Sequence, residues 1–283
     1  MYQWRAALLF IPFLVAGLVG CGMSGEDLEQ NPSLATARQA AMDRERPPPN
    51  GLNGTSPACF WAAGTQQALR DLGGAALDQG AGYLTGIPLS QVSQSCREVL
   101  RSAIECALTP DQSVRDPVTD EVYSGWWGLS PSWLGGVLEP TGRRYVTGCM
   151  VQRLNAYSVH VPILLEGPHP AIARNATYSP MYPIEESTAF GDLFSSTNPL
   201  LGLQPAFNLY VCWESVLPQS SGLLGLPLLF EKRVCDDAPL CGVLPLGPCA
   251  LSCVASGPYW QCQPGVFEPS WPETVRVRLE AAD

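Results

Sequence analysis

The sequence predicts an α+β fold: a single disulfide-rich extracytoplasmic domain with a long amphipathic helix over about residues 90–108 and a small antiparallel sheet. Three observations lead there. The 283 residues hold eleven cysteines, a density that suits an oxidising compartment. Apolar spacing changes along the body from the helical period to strict alternation. The 27 Gly and 27 Pro break the chain into short elements.

Arg5 precedes fifteen uncharged residues, 6–20. A charge followed by an apolar run is the layout of a secretory signal, and the run is short of the roughly 20 residues a membrane span needs. Residues 1–20 are therefore expected to be removed. Residues 21–58, ending in Pro47-Pro48-Pro49-Asn50-Gly51, read as a disordered tether with extended polyproline geometry.

The domain, 59–283, opens with a short helix over 65–72, stopped by Gly73-Gly74 in the manner of a glycine cap. In the long helix Val92, Cys96, Val99, Leu100, Ala103, Ile104 and Ala107 share one face. Cys96 and Cys106, ten residues apart, would stand about 15 Å apart along it, too far to bond each other. Tyr123, Trp126, Trp127 and Trp133 follow, interleaved with Gly and Pro. Helical spacing returns over 145–157. Val159, Val161, Ile163 and Leu165 then alternate as a strand, and Pro162 argues for an edge position. Residues 167–206 read as loop with one short turn at 189–194. Strands are expected over 207–214, 228–234 and 274–279, the last with Val275, Val277 and Leu279 inward and Arg276 and Arg278 outward. The Cys-rich segment 235–262 reads as stapled loops without regular structure.

Leu18-Val19-Gly20-Cys21 resembles the lipobox of bacterial lipoproteins. The resemblance implies that Cys21 becomes an acylated N-terminus, anchored in a membrane by several chains. Gly22, where inner-membrane retention looks for Asp, implies the outer membrane or cell surface. Further on, the stretch from Gly125 to Trp133, Cys149-Met150-Val151-Gln152-Arg153-Leu154-Asn155-Ala156-Tyr157 and Gly191-Asp192-Leu193-Phe194 resemble an uncharacterised family of secreted and lipid-anchored proteins of GC-rich bacteria. That family has no assigned activity, and Asp192 stands where it has Asn.

The remaining cysteines, Cys59, Cys96, Cys106, Cys149, Cys212, Cys235, Cys241, Cys249, Cys253 and Cys262, are expected in disulfides. Five precede Glu231 and five follow it, so full pairing requires at least one bridge from the C-terminal cluster to the body. A formal net charge of −10 argues against nucleic acid as a partner. No cofactor is expected. Zinc would require thiolates, for which the spacing of Cys249 and Cys253 is weak, and Asp236-Asp237 lacks calcium-loop spacing. His160 and His169 read as solvated, and no nucleophile elbow, His-Glu-x-x-His helix or phosphate loop is present. Asp116, Asp120, Glu121, Glu185, Glu186 and Asp192 offer carboxylate pairs for a hydrolase. The positive functional feature is Tyr123, Trp126, Trp127 and Trp133, a set of rings suited to stacking on sugars. The expectation is a membrane-anchored, non-catalytic binding or structural module, with polysaccharide or an envelope protein as partner. The alternative is an extracytoplasmic hydrolase.

Overall fold

A computed structural model describes residues 59–60, 62–78, 80, 82–84, 92–93, 96–155, 161–177, 179–195, 209–214, 233–234, 242–265 and 270–280, all within the compact unit Pro47–Asp283. The expected signal and tether with Cys21, as well as His160, Cys235, Asp236, Asp237 and Cys241, lie outside the described residues. In chain order the main elements are α1 (Ala63–Gly73), α2 (Arg97–Ala107), β1 (Ser113–Arg115), β2 (Val122–Ser124), α3 (Pro140–Gln152), β3 (Ile163–Glu166), β4 (Ile184–Gly191), β5 (Leu209–Trp213), β6 (Leu244–Pro248), α4 (Cys249–Ser252), β7 (Cys253–Ser256), β8 (Tyr259–Cys262) and β9 (Val275–Leu279). The α+β class stands. No helix among the described residues is long and apolar enough to cross a membrane.

α1 buries Thr65, Ala68, Leu69 and Leu72 on one face. Its end differs from a left-handed glycine cap: Gly74 has φ −82° and donates to the Arg70 and Asp71 carbonyls. The preceding glycine serves packing, since a Cβ on Gly73 would come within 2.9 Å of Phe194. The helix expected over 90–108 is shorter, with eleven residues starting at Arg97. Val92 and Ser93 are outside it, because the Cys96 N–H donates to the Ser93 carbonyl in a tight turn and the Cys96 sulfur is bonded to Cys59. α3 begins five residues before the expected start, with Pro140 in its first turn, where proline's fixed φ fits.

The sheet is larger than the small antiparallel one expected. Five strands run in the order β3-β9-β4-β5-β6, antiparallel except for the β5–β6 pair. β3 occupies an edge directly after Pro162, and β6, which contains Pro245 and Pro248, occupies the other. Separate two-stranded ribbons join β1 to β2 and β7 to β8. α3 lies on one face of the large sheet, close enough at Gly148 that a Cβ would meet the Val275 side chain at 2.7 Å. Val275, Val277, Ala189 and Val211 belong to the main core on that face. The other face carries a smaller core of Phe190, Tyr210, Cys212, Cys249, Cys262 and Trp271.

Three further expectations change. Part of the segment read as loop, 167–206, is β4, an eight-residue strand in the middle of the sheet. The described part of the Cys-rich segment, 242–262, is regular after all, forming β6, α4 and the β7–β8 hairpin. Within the strand expected over 228–234, Arg233 and Val234 are helical, and 228–232 lie outside the described residues. Among the described residues the bridges are Cys59–Cys96, Cys106–Cys149, Cys212–Cys249 and Cys253–Cys262. Cys212–Cys249 ties the C-terminal cluster to the body.

Candidate functional site

The aromatic stretch is placed by the end of α2. A helix leaves its last four carbonyls without internal partners, and residues 126–130 supply them. Trp126 and Trp127 donate their backbone N–H groups to the Glu105 carbonyl at 3.0 and 2.9 Å, Leu129 donates to Cys106 at 3.1 Å and Ser130 to Ala107 at 2.8 Å. Gly128 donates to Leu108 at 2.9 Å. So close a backbone approach explains the glycines. A Cβ on Gly125 would overlap the Leu108 backbone and the Thr109 carbonyl, and Gly128 has φ +67°, where only glycine is relaxed.

This arrangement splits the four aromatic candidates. Trp133 is fully buried, donates its indole N–H to the Leu72 and Ala75 carbonyls at 3.3 and 3.1 Å, and meets Phe194 edge to face. Tyr123 is also buried, its hydroxyl donating to Asp116 at 3.0 Å. Neither ring face is open to a ligand. Trp126 and Trp127 are half-buried, and Trp127 leans on the main core.

The carboxylates named as hydrolase candidates do not converge. Asp116 is buried and takes hydrogen bonds from Arg97 at 2.5 Å, from Tyr123 and from the Val118 N–H at 2.8 Å. Burial acts to raise its pKa, but these donors together hold it below the ordinary aspartate value. Asp120 and Glu121 are exposed, beside Arg115 and Arg101. Glu186 is fully buried and takes both Nε and Nη2 of Arg233, at 3.2 and 2.5 Å, while Arg233 Nη1 caps the end of α3 through the Gln152 and Leu154 carbonyls at 2.7 and 2.8 Å. Asp192 accepts from the Phe194 N–H at 2.9 Å, and burial raises its pKa.

Glu185 belongs to a group that alternation alone missed. Arg276 and Arg278, expected outward, are buried at 6% exposure each: Arg278 donates to the Tyr182 carbonyl at 2.7 Å, and Arg276 lies beside Glu214, which Trp260 of the β7–β8 hairpin contacts. Arg276 reaches Glu185 at 3.3 Å and Glu214 at 3.2 Å. Arg278 pairs with Glu185 and stands 3.6 Å from Glu166. Glu166 accepts from the Ser179 hydroxyl. Glu214 accepts from Thr188 at 3.1 Å and from the Trp260 indole at 2.8 and 3.1 Å. Three glutamates and two arginines thus bridge β3, β9, β4, the end of β5 and β8. A register shift in β4 between Glu185 and Ser187 gives each polar residue of that run a partner: Glu185 and Thr188 on this face, Glu186 and Ser187 with Arg233 and Gln152. The signal in the sequence was the Arg-x-Arg spacing, which puts two guanidinium groups on one face of β9, where they meet Glu185.

His169 is half-buried, its Nδ1 accepting from the Ala171 N–H at 3.1 Å and its ring edge-on to Tyr145 at 4.9 Å. Burial lowers its pKa and raises that of Tyr145 to about 12, with Glu273 adding to the latter. Cys212, Cys253 and Cys262 have sulfurs mutually within 4.8 Å, near enough to share one ion. All three are in disulfides and offer no thiolate. When the chain is compared with protein-family models, with curated proteins and with solved structures, no match is found.

Proposed function

We propose that the chain is a cell-envelope lipoprotein, held at the outer membrane or cell surface by acyl chains on Cys21. Its disulfide-stapled body acts as a non-catalytic binding or structural module, with Trp126 and Trp127 as contacts for a polysaccharide or envelope protein. One observation carries the preference for binding over hydrolysis. The buried candidates Asp116 and Glu186 are each held by an arginine, and the half-buried Glu185 is shared between two. A hydrolase of this kind needs two carboxylates facing one substrate bond, and here each is engaged by its own partners within the fold. The backbone of the two tryptophans is pinned to the end of α2, so a ring stacked on a sugar would lose little further freedom.

Anchoring is tested by fractionation. Cys21→Ala is expected to move the protein from the membrane to the soluble fraction and to remove the acyl mass from its N-terminal peptide. Unchanged partitioning refutes the anchor. Binding is tested by pull-down on murein and on cell-surface polysaccharide: Trp126→Ala with Trp127→Ala should lose retention while keeping the circular dichroism of the parent. Absence of retention by the parent on every glycan overturns the polysaccharide reading.

A further inference from the structure

Two disulfides lie against each other beneath the second face of the sheet. Cys212 on β5 is bonded to Cys249 at the start of α4, and Cys253 is bonded to Cys262 across the β7–β8 hairpin. Cys212 Sγ and Cys253 Sγ, which belong to different bridges, are 3.6 Å apart. Among the described residues no other trio of His, Cys, Asp or Glu side chains comes together this way. Access is uneven. Cys212, Cys249 and Cys262 are at most 1% exposed, whereas Cys253 is half-buried at the edge of the hairpin.

We propose that these four cysteines form a thiol–disulfide exchange site that takes a small dithiol as its reaction partner, with Cys253 as the entry point. A thiolate attacks the disulfide sulfur it can reach. Attack on Cys253 Sγ breaks Cys253–Cys262, forms a mixed disulfide at Cys253 and expels the Cys262 thiolate. The second sulfur of the dithiol then closes its own ring disulfide and expels the Cys253 thiolate. That thiolate faces Cys212 Sγ across 3.6 Å. Its attack forms Cys212–Cys253 and releases Cys249 as the leaving thiolate. The dithiol is oxidised by two electrons, the protein loses one bridge, and the protons given up by the dithiol are available to Cys249 and Cys262. The hairpin, first closed on itself, ends covalently joined to β5.

The test uses the full-length protein treated with one equivalent of dithiothreitol, quenched in acid, alkylated and mapped by peptide mass spectrometry. Molecules in which a C-terminal bridge has opened should carry a Cys212–Cys253 bridge with label on Cys249 and Cys262. Label on Cys253 and Cys262 with Cys212–Cys249 intact overturns the proposal, as does survival of both bridges while Cys59–Cys96 opens. Cys59–Cys96 serves as the comparison bridge, whose label should stay on Cys59 and Cys96. In a Cys253→Ser, Cys262→Ser variant the buried Cys212–Cys249 bridge should open at least tenfold more slowly; the parent's rate in that variant would show that entry does not run through Cys253.

Discussion

At the scale of single residues, Asp192 is the clearest case of a carboxylate working against the fold. Burial holds its pKa above the ordinary value despite the Phe194 N–H and the nearby Arg143 and Arg144. The folded state therefore binds the proton more readily, so this group's contribution to stability falls as pH rises through the raised value and is least favourable above it. Asp192→Asn keeps the acceptor for Phe194 and removes the charge. The variant should have a higher urea midpoint at pH 7 and lose that advantage in acid; equal midpoints at pH 7 would rule this out. Glu186 is fully buried against a matching charge, that of Arg233. Arg233→Met leaves a fully buried carboxylate and two helix-end carbonyls without their donor, at a cost of roughly 3–5 kcal/mol. Adding Glu186→Leu to that variant should recover part of the loss in the same denaturation assay.

At the scale of elements, the join between α2 and the Gly-Trp stretch sets the arrangement around it. Gly128→Ala forces a side chain into the left-handed region beside the Thr109 methyl, and should cost about 1–2 kcal/mol in urea unfolding. A smaller change would mean that the stretch relaxes away from the helix end. The helices were legible because their buried faces recur at the helical period, as with Val99, Leu100, Ala103 and Ile104. β4 was not, because Glu185-Glu186-Ser187-Thr188 looks like loop until Arg233, Arg276 and Gln152 are brought to it from distant segments. β9 was legible as a strand but not in its surroundings: alternation shows that Arg276 and Arg278 share a face, and only the fold shows that the face is covered. The tryptophans were legible as a cluster, yet Trp133 and Trp126 differ in burial because one reaches the Leu72 carbonyl and the other follows the rim of α2.

At the scale of the whole molecule, pH acts through groups of opposite sign. Asp116, held below its ordinary value, contributes stability above about pH 4, and that contribution is lost as pH falls through its lowered folded value. Burial lowers the pKa of His169, so its contribution to stability declines as pH falls from about 6.5 through the depressed value. Asp192 offsets part of this in acid. Urea midpoints measured from pH 8 to pH 3 should fall in two stages, with the upper stage absent in His169→Gln; a single stage retained in that variant would assign the upper loss elsewhere. The strand order carries a further consequence. β9 sits between β3 and β4, so those two strands, though neighbours in sequence, have no backbone partner in common until residue 279 has been made. Until then β3 has no neighbour in the sheet, and the Arg276 and Arg278 guanidinium groups are missing from among their glutamates. A chain cut before β9 would still hold the β4 and β5 partners but would leave β3 with nothing to pair with.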